Sequence, residues 1–302
     1  MKNMKTAVIG LGNMGRHHVR HYASLSHLVA VCDQDRVRVQ ECVDVFGCKG
    51  YTSVEDLLEN EAIDALSIAA PTFLHYDIAK KVISKNISIL IEKPIADSIE
   101  KAKELDQLAT QHKVTLMVGH IERFNPIITA LKKEIDAGML GQIASIITRR
   151  VSPMPTQIKD ANVMIDLAVH DIDVCSYLLD KNPQHITGRG GRLILEDRED
   201  HAELLLDYGT CNAIVQVNWI TPTKIRTLSL TGSKAHAEVN YLTQEMTIYR
   251  PNEEAQITKL ESQESLPIEL AHFLNAVSTK TPPLVGAKEG LAALVAAQTP
   301  LT

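Results

Sequence analysis

The segment Gly10-Leu11-Gly12-Asn13-Met14-Gly15 constrains the fold of this chain more than any other. A G-x-G-x-x-G pattern by itself is weak, because glycine turns are common. Here it follows the apolar run Thr6–Gly10, opens a helical pattern over residues 14–24, and precedes a second apolar run, Leu28–Asp33. In that order each glycine has a mechanical role. Gly10 permits a tight turn, Gly12 opens the backbone to a pyrophosphate, and Gly15 lets helix and strand pack closely. Asn13 and Met14 begin the helix, whose first N–H groups and positive dipole end would face the phosphates. Asp33 closes the second run, where it would accept hydrogen bonds from ribose hydroxyls and repel a 2′-phosphate. That favours NAD over NADP. Asp35 competes for the role by its distance from the motif, and Arg36 keeps NADP as the second choice.

The same rhythm continues along the first part of the chain. Apolar runs at Ala65–Ala69, Ile87–Glu92 and Thr115–Gly119 alternate with helical patterns near residues 35–46, 54–60, 74–85 and 98–112. Ser53-x-x-Asp56 and Asp97-x-x-Glu100 place a capping oxygen and a first-turn acid where helices should begin. Strands apolar throughout, each followed by a helix, predict a doubly wound parallel sheet covered on both faces.

After about residue 140 the rhythm changes. Gln142–Val151, His201–Asp207, Cys211–Trp219, Ile225–Thr231, Ala235–Tyr241 and Glu245–Arg250 follow at short intervals. Turn chemistry at Tyr208-Gly209-Thr210 and Gly232-Ser233 joins some of them, which predicts an antiparallel sheet. One long helical pattern, Val163–Leu179, interrupts the series. The expected class is α/β: an N-terminal Rossmann domain over residues 1–121, and a C-terminal α+β domain over residues 122–302 with an open, mainly antiparallel sheet. The 302 residues suit two domains, at roughly 100–200 residues each. Ile214 and Val217, near Trp219, would cover the open face by self-association, giving a homodimer or homotetramer.

A formal charge of −6, with basic residues scattered, excludes a dedicated nucleic-acid binder, which needs a basic stripe to neutralise phosphates. The five cysteines lack C-x-x-C spacing, so neither a disulfide framework nor a structural zinc site is expected, and a reducing cytoplasm fits. No signal-peptide pattern follows Met1-Lys2-Asn3-Met4-Lys5. No apolar run reaches the roughly 18–20 residues that span a bilayer. The expectation is a soluble cytoplasmic chain without a membrane partner.

Candidate chemistry gathers in four places. Glu92-Lys93-Pro94 ends an apolar run, on the sheet edge where open α/β folds bind ligands. In isolation such a lysine would start an ordinary surface turn; its place in the fold makes it a candidate for proton chemistry. In the helical stretch from Met164 to Asp173, the residues Asp166, His170 and Asp173 are spaced i, i+4, i+7 and would share one face, with Asp171 pointing away. His170 there could take the proton of a substrate hydroxyl, although a structural hydrogen bond is as good an account of a His/Asp pair alone. A metal is the lesser option, because ligands on one helix do not complete a site. Gly119-His120-Ile121-Glu122-Arg123-Phe124-Asn125-Pro126 marks the crossover between halves: His120 and Arg123 could bind substrate, while Asn125 before Pro126 is also good helix-start chemistry. Pro71-Thr72 with His75 could line the nicotinamide side.

Taken together these residues resemble the glucose–fructose oxidoreductase/inositol dehydrogenase/rhizopine-catabolism family of NAD(P)-dependent sugar oxidoreductases. The glycine motif is generic; the Lys93-Pro94 pair combined with Asp166-x-x-x-His170 is specific. The resemblance covers nearly the whole chain. It implies that Lys93 and His170 form the acid/base pair beside the transferred hydride, that Asp166 binds or orients substrate hydroxyls, and that the Lys93–Pro94 bond is cis. Which of Lys93 and His170 removes the proton differs among members. Within the family, the segments at 119–126 and 165–173 and the loop from Ser152 to Asp160 look like the branch that oxidises the C3 hydroxyl of UDP-N-acetylglucosamine. Its ketone product goes to a partner aminotransferase in glycolipid or surface-glycan synthesis. A diphosphate needs cations, and Arg123, Arg149, Arg150 and Lys159 are candidates, though surface solvation is the commoner fate of such residues. The competing expectations are a myo-inositol or simple-sugar dehydrogenase and a non-catalytic NAD-sensing regulator. A sensor has no need of Lys93, Asp166 and His170.

Overall fold

The computed structural model describes residues 2–155 and 161–298. They form two compact units. The first comprises the chain up to Ile121 together with Glu264–Leu291, and the second comprises Glu122–Gln263 with the residues from Ala292 onward. Residues 264–291, expected in the C-terminal domain, therefore belong with the first unit. The reason lies in helix α8 (Ser265–Thr279), which buries Leu266, Leu270, Phe273 and Leu274 along one stripe and packs against the first helix of the chain.

In the first unit the chain runs β1 (Lys5–Ile9), α1 (Asn13–Leu25), β2 (His27–Cys32), α2 (Arg36–Phe46), β3 (Lys49–Tyr51) and α3 (Val54–Asn60). It continues through β4 (Ala65–Ile68), α4 (Thr72–Ser84), β5 (Ser88–Glu92), α5 (Ile99–His112) and β6 (Leu116–Gly119). The strands form one parallel sheet in the order β3-β2-β1-β4-β5-β6. Strands β4 and β6 are buried at every residue, as a sheet covered on both faces requires. Helix α1 turns Gly15, His18, Val19 and Tyr22 inward, the i, i+3, i+4, i+7 stripe of an amphipathic helix. Ser53 caps α3 by accepting from the Asp56 N–H. At α5 the cap is Ser98, one residue later than the Asp97 expected. The Asp97 side chain instead accepts from Lys101 Nζ at 2.8 Å.

The second unit begins with a 3-10 turn at Ile121–Phe124, whose first residue still belongs to the first unit, and α6 (Pro126–Asp136). Next come β7 (Ile143–Pro153), a π-helical segment (Met164–Ala168), α7 (Val169–Leu179), β8 (His185–Gly191), β9 (His201–Asp207) and β10 (Asn212–Asn218). Strands β11 (Ile220–Gly232), β12 (His236–Asn240), β13 (Glu245–Tyr249) and β14 (Gln256–Lys259) complete the sheet, and α9 (Ala287–Ala297) carries the chain across the division between units. The eight strands lie in the order β14-β13-β12-β11-β7-β10-β9-β8, and only the β7–β10 pair is parallel. One face carries the core, with Trp219 and Tyr208 among its largest members. On the other, Ile147, Ile214 and Leu205 sit directly opposite one another across β7, β10 and β9, and are 48%, 44% and 45% exposed. Val217 and Trp219, expected beside Ile214 on that face, are instead buried in the core. Positions 214 and 217 differ by an odd number, so a pleated strand sends them to opposite faces.

Candidate active site

The glycine turn joins β1 to α1 beside the point where strand order reverses, between β1 and β4. Gly10 has φ +90, and a Cβ there would lie 2.5 Å from the Ala70 nitrogen. At Gly15 a Cβ would lie 1.8 Å from the Gly10 carbonyl oxygen, so turn and helix close only on glycine. Gly12 differs, because a Cβ there would meet nothing within 4 Å. It is also the N-cap of α1, and no side chain caps the helix. The first-turn N–H groups of Asn13 and Met14 thus stand at an open, positively polarised end.

Asp33 follows β2, and its carboxylate accepts the Leu11 N–H at 2.6 Å and the Asp35 N–H at 2.9 Å. Asp35 is the N-cap of α2, accepting from Val37 and Arg38, and of these two acids it is Asp33 that lines the crevice. Arg38, rather than Arg36, is the nearby cation, with Nη1 3.9 Å from Asp33 and Nε 3.2 Å from Asp35. The crevice has a volume of about 580 Å3 and is bounded by Gly10, Asp33, Arg38, Pro71, Phe73 and Leu74 among others. An uncapped helix end, an unfilled space over Gly12 and an acid at the end of the neighbouring strand suit a dinucleotide.

Beside this crevice, β5 ends at Glu92 and the Lys93–Pro94 peptide bond is cis. The Glu92 carboxylate meets His18 Nε2 at 2.9 Å and accepts the Lys93 N–H at 3.3 Å. Burial would push the Glu92 carboxyl up, but the His18 hydrogen bond and the charges of His18 and Lys93 prevail and hold it below the usual range. Across the sheet, a Cβ at Gly119 would come 3.2 Å from that carboxylate, so glycine makes the room it needs. His75 on α4 lies 2.8 Å from Pro94 O through Nδ1 and 2.8 Å from Ala70 O through Nε2. Burial lowers its pKa against those two bonds, and the ring bridges the turns after β4 and β5 from behind. Pro71 caps α4 and Thr72 starts it, while His120 is buried just past β6. Glu92 and His75, expected to touch the cofactor, thus direct these polar groups at protein atoms.

In the second unit the long helical pattern divides. Its first part, Met164–Ala168, is a π-helical segment that carries Asp166, and α7 then carries His170. Asp166 and His170 are partly exposed, whereas their neighbours Leu167, Ala168, Val169 and Asp171 are buried. Single π turns inside helices re-aim side chains and recur at functional sites. Asp173 does not share the exposed face: it is buried and paired with Arg123, whose Nε and Nη2 reach its two oxygens at 2.9 and 2.7 Å. Arg150 likewise grips Asp171, with both contacts at 3.0 Å, and Glu122 at 2.6 Å. Burial alone would lower the Arg150 pKa, but Asp171 and Glu122 raise it well above normal. Burial also raises the Asp171 carboxyl despite the opposing pull of Arg150.

These pairs redistribute the expected substrate contacts. Arg123 and Arg150 are held by buried carboxylates. Asn125 caps α6 with Oδ1, which also accepts from Gln244 Nε2 at 2.9 Å. Arg149 is exposed on the sheet face opposite Arg150, in line with Ile147, and so lies on the side away from α7. Lys159 lies outside the described residues.

The family model described as the oxidoreductase family with an NAD-binding Rossmann fold matches residues 4–120, and that of the GFO/IDH/MocA C-terminal domain matches residues 128–238. The chain belongs to the GFO/IDH/MocA oxidoreductase family. As a member it is an NAD-dependent oxidoreductase acting on CH–OH groups, and the crevice at Gly10, with the open space over Gly12, fits that cofactor. Among similar family members is the UDP-N-acetylglucosamine 3-dehydrogenase of Acidithiobacillus ferrooxidans, 29% identical over 98% of this chain and 96% of that one. A solved structure of that enzyme superposes with a TM-score of 0.92 at 28% identity, covering 98% of this chain and 96% of its own. The NAD(+)-dependent scyllo-inositol 2-dehydrogenase of Bacillus subtilis is 29% identical over 62% of this chain and 57% of its own length. An oxidoreductase from Agrobacterium radiobacter, solved with NAD+, L-tartaric acid and magnesium, shares the fold at a TM-score of 0.92 and 20% identity, over 98% and 95% of the two chains.

Sequence reading missed His18 as the partner of Glu92, Arg38 at the crevice, and Arg226 near Asp166. The His18 signal was present, since it falls on the inward stripe of α1 where a histidine needs a partner. Arg38 and Arg226 carried no comparable pattern.

Proposed function

We propose that this family member oxidises the C3 hydroxyl of UDP-N-acetylglucosamine to a ketone. What supports the reading is the likeness to a UDP-N-acetylglucosamine 3-dehydrogenase along 98% of the chain, in sequence and in fold, together with Lys93, Asp166 and His170. NAD at the glycine turn supplies the hydride acceptor. The first-turn N–H groups of α1 hold its pyrophosphate, and Asp33 accepts from the adenosine ribose and disfavours a 2′-phosphate. Pro71 and Thr72 line the nicotinamide side.

The residues of this chain then manage one proton. As the C3–H bond gives up its electron pair, the hydroxyl loses its proton to His170 or Lys93, the other of the two polarising the oxygen. Asp166 accepts from a neighbouring sugar hydroxyl and fixes which carbon presents its hydrogen. Glu92, backed by His18, and His75 position the Lys93 turn, while His120 borders the substrate. Incubation with NAD and a panel of UDP-sugars, free hexoses and inositols, followed at the NADH absorbance, tests this. NADH from UDP-N-acetylglucosamine alone is expected.

A second reading, an inositol or simple-sugar dehydrogenase, draws support from inositol dehydrogenases 29% and 28% identical over shorter spans. NADH formed from myo-inositol and not from the UDP-sugar selects it. We further propose that the exposed row Ile147, Ile214 and Leu205 is covered in a homodimer or homotetramer. The enzyme would act in the cytoplasm, and its ketone would pass to an aminotransferase. Among the described residues no helix is long and apolar enough to cross a membrane.

A further inference from the structure

Arg226 is the guanidinium near Asp166 that the protein leaves partly unspent. It lies on β11, directly opposite Arg150 of β7 in the antiparallel register, so both side chains leave the same face of the sheet. That face is the core face, because Leu228 and Leu230 continue it inward. Like charges set opposite one another repel, and the two arginines are treated differently. Arg150 takes both carboxylates, Asp171 and Glu122, in direct contact. Arg226 makes only backbone contacts: its Nη1 donates to Val151 O at 2.8 Å and to Ile225 O at 3.0 Å. Among the described residues no carboxylate pairs with it, and its Nε and Nη2 groups donate to no protein atom.

Burial, and after it the charge of Arg150, pulls the Arg226 pKa down to about 10, while Asp171, Glu122 and Asp166 oppose them. The group is still a cation at neutral pH. A partly buried charge without a direct counter-ion is costly to keep. The Nη1 bonds also hold the planar fork, whose Nε and Nη2 groups have the geometry for a two-point contact with an oxyanion.

We propose that Arg226 binds the diphosphate of the sugar-nucleotide substrate. The inference rests on the UDP-sugar reading above and identifies the residue that would make such a substrate preferred over a neutral sugar. Arg123 and Arg150 are spent on carboxylates, and Arg149 is on the other face.

UDP, titrated calorimetrically into protein saturated with NADH so that the glycine turn is filled, is the probe. Wild type is expected to bind UDP, and Arg226→Gln to bind it at least tenfold more weakly with NADH affinity unchanged. For UDP-N-acetylglucosamine the variant should raise KM by a similar factor and change kcat less. Arg226→Lys keeps the charge and loses the fork, so it should recover part of the UDP affinity and serves as the deciding variant if Arg226→Gln does not fold. Equal UDP affinity in wild type and a folded variant, or no UDP binding by wild type, overturns the proposal. A wild type that binds UDP through Arg226 and oxidises no UDP-sugar overturns the substrate reading and leaves the anion site standing.

Discussion

His18 donates to the Glu92 carboxylate at 2.9 Å, joining the inner face of α1 to the end of β5 immediately before Lys93. Glu92 is held ionised and accepts only, so Nε2 of His18 carries the proton.

This pair gives a pH dependence of stability. The Glu92 pKa lies below its unfolded value, near 4.3 for a free glutamate, so its contribution is present above that pH. It is lost as pH falls through the folded-state value. Denaturant titrations of wild type should lose stability more steeply than those of Glu92→Gln on acidification below about pH 5. Parallel profiles for the two proteins would mean that Glu92 is not held ionised by the fold.

Removal of the proposed proton carriers should separate chemistry from binding. Lys93→Met and His170→Asn are each expected to lower kcat by about 10²–10⁴-fold. NADH affinity, measured by fluorescence titration, should stay near wild type. Full turnover in both variants would remove them from the mechanism.

Cofactor choice should follow Asp33. Asp33→Ala removes the proposed acceptor for the ribose hydroxyls and the carboxylate that would repel a 2′-phosphate beside Arg38, 3.9 Å away. The ratio of kcat/KM for NAD to that for NADP should fall by about tenfold or more, equivalent to ~1.4 kcal/mol. An unchanged ratio would place discrimination elsewhere.

The Arg123–Asp173 pair is structural, with side chains 8% and 1% exposed. Asp173→Asn removes the charge that meets the buried Arg123 guanidinium at 2.7 Å and should cost about 3–5 kcal/mol in urea unfolding. A loss under 1 kcal/mol would show that the pair carries little of the stability.

Self-association should depend on the exposed row. Ile214→Glu puts a charge between Ile147 and Leu205 and should lower the mass seen by light scattering, with the far-UV spectrum unchanged. An oligomer of unaltered mass would move the interface off this face.

What could be read from sequence follows from where each signal resides. Strand β9 was legible as His201–Asp207 because it alternates buried and exposed residues along its length. Strands β3, β8 and β14 were not expected, and all three lie at sheet edges. Unlike the edge strand β6, these three bury little, so their sequences carry little pattern; the neighbour's free backbone groups recruit them. The glycine turn was legible because backbone geometry there admits no side chain at Gly10 and Gly15. Asp173 was expected beside His170, yet it answers to Arg123, 50 positions earlier. A π-helical turn at Asp166 also breaks the even spacing on which that face was drawn. Pairings of that range leave no local trace in a sequence.

The return of residues Glu264–Leu291 to the first unit makes Glu122–Gln263 an insertion in the chain of that unit. Cutting the gene after Ile121 would therefore not yield the whole first unit; it would remove α8, which packs against α1. A compact first unit requires its two segments, up to Ile121 and Glu264–Leu291, to be spliced by a short linker in place of residues 122–263. Conversely, a stop codon between Gln263 and Glu264 would remove part of the first unit together with residues of the second.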